Sequence, residues 1–491
     1  MADYGHYWVI CNVRSVNSVM TAPPIFSQRY RALGIGMVAI IMLIAFEYLA
    51  VATAMPVVAE RLDGMSLYGL AFNASLVASV IATLVGGRWS DTRGPVAPLW
   101  IGLVGFCAGL LVAGTAPTMD VFVAGRFLQG LGGGLFSVAM YVLIDQVYPP
   151  EMHPRVFSLL SAAWVMPSLV GPAITGLVVE NVGWRWVFLG VPIIAAPAAV
   201  FLWRGLAEHR AAPRSAVPVP EPEPVTLPAS TSASGVASAP ASRGFATKLV
   251  LGVVVATGAA LMQYGSGAKV VPLLLAGAAV LVVALPRLLP KGTIRAARGV
   301  PAVVALRGLA AGAFFAAEVF VPLLLHNERG LSPTQAGLAL TGGAIFWSTG
   351  SWIQGRRPRD RAVILRTGTT LIAAAVLLTA LTVFPSVPVI VGFLAWCVGG
   401  LGIGLVYPTL SVLILELSSP AEKGANSASL AIGESVYSVV AIAITGAIST
   451  AFARSAASYV VCFVLLAMMA GAAALASGRF EHPRGAGTME V

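Results

Sequence analysis

Apolar stretches of about 20 residues recur along nearly the whole chain, and this feature restricts the fold more than any other. A helix needs roughly 20 mostly apolar residues to cross the hydrocarbon core of a bilayer. Hydrophobic residues make up 58% of the 491 and charged residues 10%, with a mean hydropathy of +0.87. That balance is far from a soluble domain. An all-α polytopic membrane protein is the class that fits.

The runs predict spans at about 33–59, 67–87, 95–115, 119–147, 154–179 and 184–204, and a second set at about 300–325, 332–355, 362–384, 387–416, 424–452 and 456–477. Between the sets, two further apolar stretches at about 246–264 and 270–289 predict an inserted hairpin, giving about 14 transmembrane helices. The chain divides into a tail (1–30), a first six-helix bundle (31–206), a linker (207–244), the hairpin (245–290), a second six-helix bundle (291–478) and a short tail (479–491). The linker is rich in Pro, Ala and Ser, cannot bury a core, and is expected to be disordered.

The net charge of +10 needs no polyanionic partner. With a cytoplasmic amino terminus and alternating spans, Arg88, Arg93, Arg155, Arg204 to Lys248, Arg287 to Arg307, Arg356 to Arg366, Arg479 and Arg484 all fall on the cytoplasmic side. Arg61, Arg185, Lys269, Arg329 and Arg454 fall opposite, and Arg126 lies within a span. This is the positive-inside asymmetry, so both termini are expected in the cytoplasm; the membrane expected is the inner (plasma) membrane. The four cysteines are scattered without metal-ligand spacing, so no metal is expected. The first 30 residues lack the pattern of a signal peptide, and Met20 is an alternative start.

The two sets of spans repeat each other. The segment that begins at Gly130 and runs to an Ala-Ile-Thr-Gly ending aligns without a gap on one that begins at Gly400, a shift of 270 residues. Pro150 and Pro420 match in the intervening loop. Parallel duplication of this kind is common in transporters.

Four segments carry recognisable patterns. GGRWSDTRGP, residues 86–95, follows the second span; AGRFLQGLGGG, 124–134, lies in the fourth; SAAWVMPSLVGPAITG, 161–176, in the fifth; and FEYLAVATAMP, 46–56, in the first. The first of these resembles the signature of the major facilitator superfamily in the loop between its second and third helices, with Gly87, Asp91 and Gly94 matching and Arg93 and Arg88 nearby. Pro95 and Val96 stand where the family has two basic residues. The resemblance implies that Asp91 helps to hold two bundles together on the cytoplasmic side when the transporter faces outward. A carboxylate is also stabilised by the exposed N–H groups at a helix amino terminus, and the eleventh span is the natural partner.

Arg126 within the fourth span resembles the family's arginine that influences protonation of a nearby acid. Its alternative is to snorkel to the outer surface. Pro167, Gly171, Pro172 and Gly176 resemble a fifth-helix signature of proton-coupled drug antiporters, expected to bend the helix. Around Glu47, the sequence resembles a first-helix signature of antiporters with an inserted hairpin. Ala54, Met55 and Pro56 fit its ending, while Leu49 and Ala52 replace its polar neighbours.

Low dielectric disfavours the charged carboxylate, so Glu47 is a candidate for loading and releasing a proton, and intramembrane acids are functional by default. Glu318 in the seventh span and Glu434 in the eleventh are the other candidates. Asp145 and Glu416 lie at helix ends and suit solvation or gating. Phe46, Tyr48, Phe136, Tyr141, Trp164, Met166, Trp347, Tyr407 and Tyr437 are candidates for an aromatic, adaptable cavity lining, with interhelical packing as the alternative for each.

No nucleotide-binding loop, zinc-binding helix or nucleophile triad occurs, so no enzyme and no cofactor beyond the proton as coupling ion is expected. The resemblance implies a monomeric secondary transporter that exports hydrophobic or amphipathic small molecules in exchange for protons by alternating access. Rival readings are an exporter of lipids or lipid-like metabolites to the envelope, a non-transporting receptor or scaffold, and an enzyme acting within the membrane.

Overall fold

The computed structural model describes residues 27, 30–149, 152–211, 241–267, 269–356, 360–419, 422–452 and 455–480. Among these residues the chain is built of α-helices without a strand: α1 Arg31–Arg61, α2 Tyr68–Arg93, α3 Val96–Thr115, α4 Met119–Val147, α5 His153–Asn181, α6 Arg185–Ala211, α7 Ala241–Gly267, α8 Val271–Leu288, α9 Val300–Arg329, α10 Pro333–Arg356, α11 Arg361–Leu381, α12 Ile390–Glu416, α13 Lys423–Ala451 and α14 Ala456–Ala476. Twelve of them, all but α7 and α10, carry a stretch long and apolar enough to cross a membrane. In α10 Gly, Ser and Thr dilute the apolar residues, while α7 contributes a shorter apolar run, Val250–Ser266.

Three sequence boundaries shift. Helix α2 does not stop near residue 87: it continues through Arg93, so Gly87 and Asp91 stand on its last turns rather than in a loop. The polar residues there still form helix, with the Thr92 hydroxyl donating to the Arg88 carbonyl at 2.8 Å. Gly94, at φ +82°, ends it. Helix also claims 207–211 and 241–244 of the expected linker. The remainder, 212–240, lies outside the described residues, as do most of the two tails.

The duplication reaches the packing. α5 and α13 begin and end at the same 270-residue spacing. In α4, a Cβ on Gly130 or Gly134 would collide with backbone of α2 at Ser75 and Ser79, and one on Gly132 with backbone of α3 at Gly102 and Phe106. In α12, the equivalents Gly400 and Gly404 meet α10 at Gly343 and Trp347, while Gly402 meets α11 at Gly368. Small residues let helix backbones approach in this way, and the same three-glycine ladder builds both bundles.

Polar links join the halves directly, four of them as follows. Tyr68 donates to the Val319 carbonyl at 2.9 Å, Asn73 to the Val439 carbonyl at 3.1 Å, and the Thr334 N–H to Glu180 at 2.8 Å, while Glu60 lies 3.3 Å from His326. All four lie toward the end that carries the α1–α2 and α9–α10 connections. That end is closed. The α5–α10 seam belongs to it: a Cβ on Gly176 would strike the Thr334 backbone, and one on Gly337 the Pro172 carbonyl.

The hairpin α7–α8 packs on α2 and α13, across the junction of the halves. Gln263 of α7 accepts from Asn73 at 3.3 Å and donates to the Ile442 carbonyl at 3.2 Å, and Ser266 donates to the Ala447 carbonyl at 2.9 Å. All three side chains are buried. Polar groups in an apolar medium need such partners, and each interhelical bond contributes roughly 0.6–1.7 kcal/mol. Gln263→Leu is therefore expected to lower the thermal midpoint of the purified protein, and Ser266→Ala to lower it less. Equal midpoints for wild type and Gln263→Leu would mean that apolar packing alone seats the hairpin.

Candidate functional site

A carboxylate near the middle of an apolar helix requires a partner, and Glu47 of α1 has one: Arg126 Nη1 of α4 lies 2.5 Å from its Oε1. Arg126 also donates to the Gln129 side chain one turn on. Arg126 and Glu47 are each 4% exposed. The guanidinium therefore does not snorkel to a surface. An unpaired charge at this depth costs about 2.5–3.5 kcal/mol on insertion scales, and the ion pair offsets part of that penalty for both groups. The Arg126 Nε remains without a partner among the described residues.

A second ion pair occupies the other half. Arg307 of α9 donates through Nε to Glu434 Oε2 of α13 at 2.9 Å, and through Nη1 to the Tyr407 carbonyl of α12 at 2.8 Å. Its guanidinium stacks over the Tyr407 ring, 3.1 Å from the centroid. The Tyr407 hydroxyl donates to the other Glu434 oxygen. Arg307 is 7% exposed, so this cation is enclosed within the protein. It lies two turns into α9, far enough for α12 and α13 to enclose it. Two of the three expected acids, Glu47 and Glu434, are thus paired with arginines.

Glu318 of α9 differs. Half-buried, it has no hydrogen-bond or ion-pair partner among the described residues. Nearby, Tyr48 of α1 lies deep in the protein within electrostatic reach of Glu318, Glu434, Arg126 and Glu47, yet keeps 38% of its surface exposed. Exposure at that depth belongs to an internal cavity between the halves. Trp164 of α5 meets Tyr48 edge-on at 6.2 Å, while from the other half Phe315, Trp347 and Tyr407 form a contiguous aromatic cluster. Aromatic walls around one unbalanced carboxylate suit a flat or bulky cation.

The remaining sequence candidates scatter. Phe136 lines nothing: it is 1% exposed, packed in a separate core among α1, α3, α4, α5 and α6. Tyr437 also departs from the cavity expectation, because its ring fills the space left by Gly308 on α9. Phe46 packs toward Gly171. Met166 and Tyr141 are largely exposed. Pro167 and Pro172 stand inside one continuous helix, α5. Asp91 and Arg93 are exposed, and Asp91 has no hydrogen-bond partner on α13 among the described residues.

Family comparison decides what such a duplicated bundle is: the model described as Major Facilitator Superfamily matches residues 37–441. The chain belongs to the major facilitator superfamily. Within this superfamily it is 25% identical over 457 residues to a probable multidrug-efflux transporter of Mycobacterium tuberculosis, covering 89% of this chain and 91% of that protein. It is 27% identical over 452 residues to a probable actinorhodin transporter of Streptomyces coelicolor, covering 86% and 73%. Among solved structures, a POT family transporter in complex with a thioalcohol-conjugated peptide matches at a TM-score of 0.64 with 14% identity, covering 91% of this chain and 95% of that one. The human organic anion transporter MFSD10 matches at 0.58 with 15% identity, covering 92% and 100%. At such identities these structures show the fold alone. As a member of the superfamily the protein is a polytopic membrane transporter, with relatives named for multidrug efflux.

Proposed function

We propose that this protein is a proton-coupled exporter of hydrophobic or amphipathic small molecules, cations foremost, working by alternating access in the plasma membrane with both termini cytoplasmic. The observation that carries the reading is the charge balance of the central site. Glu47 is offset by Arg126 and Glu434 by Arg307, which among the described residues leaves Glu318 as the uncompensated charge beside the aromatic cavity. A lone carboxylate enclosed in protein is neutralised by a proton or by a cation. One charge takes one or the other, and that competition is the minimal rule of an exchanger. The mycobacterial and Streptomyces relatives, named for multidrug efflux and for actinorhodin transport, support the export reading.

Positive-inside orientation makes the closed end extracytoplasmic, so the arrangement described is one that loads from the cell. Glu318 therefore replaces Glu47, which is engaged in its ion pair with Arg126, as the leading proton carrier. The test is uptake of a fluorescent amphipathic cation into proteoliposomes under an imposed pH gradient. Glu318→Gln is expected to abolish gradient-driven accumulation in protein that still elutes as a single folded species. Full coupling in Glu318→Gln, with loss in Glu47→Gln or Glu434→Gln, would move the carrier to a paired acid. Folded wild type that moves no cation under the gradient would overturn the reading.

A further inference from the structure

A second cavity lies away from the central carboxylates. A groove of about 510 Å³ lies between α2, α4 and the inserted helix α7, with walls that include Asn73, Asp120, Phe127, Val253, Thr257 and Ala260. Its volume is in the usual range for a small-molecule site. The groove exists because α7 presents small side chains there, Ala256, Thr257 and Ala260, opposite Ala74 and Ala124.

Its polar equipment is of one kind. Asp120 is the only charged residue in the lining. It is not occupied in capping α4, because the Thr118 side chain already accepts from the Val121 N–H, and among the described residues it has no cationic partner. Asn73, 1% exposed, spends its amide donor on Gln263 and Val439, which leaves its Oδ1 buried without a partner. The Thr257 hydroxyl is donated to the Val253 carbonyl. The groove therefore offers one accessible acceptor, the exposed Asp120 carboxylate at the start of α4, with apolar walls beside it.

We propose that this groove is a second binding site, separate from the central carboxylates, for amphipathic amines: the protonated nitrogen sits at Asp120 and the apolar body lies against α2, α4 and α7. The site faces outward from the bundle, so its ligand arrives from the bilayer rather than through the central cavity. The hairpin thereby acquires a role, as the third wall of a groove that α2 and α4 alone would leave open. The proposal shares with the preceding section the reading that the protein handles amphipathic cations, but it requires neither a gradient nor turnover.

The test is equilibrium photolabelling of the full-length protein in lipid nanodiscs with a diazirine-bearing dodecylamine, followed by peptide mapping. Saturable labelling of α2, α4 and α7 peptides is expected, displaced by unlabelled dodecylamine. Asp120→Asn should raise the half-saturating concentration roughly tenfold, and Ala260→Phe, which fills the groove, should remove the labelling. Glu318→Gln should leave it in place, which separates this site from failure of the central one. Labelling that never saturates, or that a neutral diazirine-bearing alkane reproduces, would mean that the groove holds only bulk lipid chains and would overturn the proposal. So would saturable labelling confined to α1 and α9.

Discussion

Arg126→Met is expected to destabilise the protein by about 3–5 kcal/mol, the usual effect of removing one partner from a buried ion pair. The Glu47 carboxylate, 4% exposed, would remain with no counter-ion, and Gln129 would lose the donor it now accepts from. At the centre of the transporter the charge balance would change as well, from one uncompensated carboxylate to two. The double variant Glu47→Gln/Arg126→Met removes both charges together and should recover most of the lost stability. Thermal unfolding in detergent, with monodispersity by size exclusion, reads the difference. If the single variant is as stable as the double, water in the cavity solvates Glu47 and the pair is not what holds α1 to α4.

The same pair shows what a sequence can and cannot disclose. Glu47 and Arg126 both stand out as charges inside apolar runs, yet they are 79 residues apart, and only the packing of α1 beside α4 shows that they meet. Arg307 was legible in principle, as a cation two turns inside an apolar helix. The burial comes from α12 and α13, which the local sequence does not describe. Helix positions, by contrast, follow from where apolar runs break at Gly, Pro and Arg, and they agree with the structure to a few residues. The main departure, at the end of α2, arises because Trp89, Ser90 and Thr92 can extend a helix as well as leave it. Aromatic candidates were harder. Phe136 and Tyr437 sit in apolar helices like Tyr48 and Trp347, but which face a helix turns to the cavity depends on its neighbours. The glycine ladder at the 270-residue spacing was visible as a repeat; that it meets a different helix at every second glycine needed the coordinates.

Gly176→Leu should act on the conformational cycle rather than on the fold. At the closed end, α5 and α10 approach so nearly that any Cβ on Gly176 would meet the Thr334 backbone, beside the hydrogen bond from the Thr334 N–H to Glu180. Overpacking of this sort costs about 1–3 kcal/mol, and here the penalty falls only on the state in which the seam is shut. A differential penalty of that size shifts the open-to-closed ratio by roughly 5–150-fold. Spin labels at Val182 and Leu338, both exposed near this end, should report a longer distance in the variant, in a background cleared of native cysteines. Transport should fall with it, because a cycle that cannot close one side cannot load from the other. The thermal midpoint should change little, since each bundle keeps its own glycine ladder. An unchanged distance with intact transport would mean that α10 withdraws without penalty, and the closing contact would then lie in the Tyr68 and Asn73 links on the opposite side of the bundle.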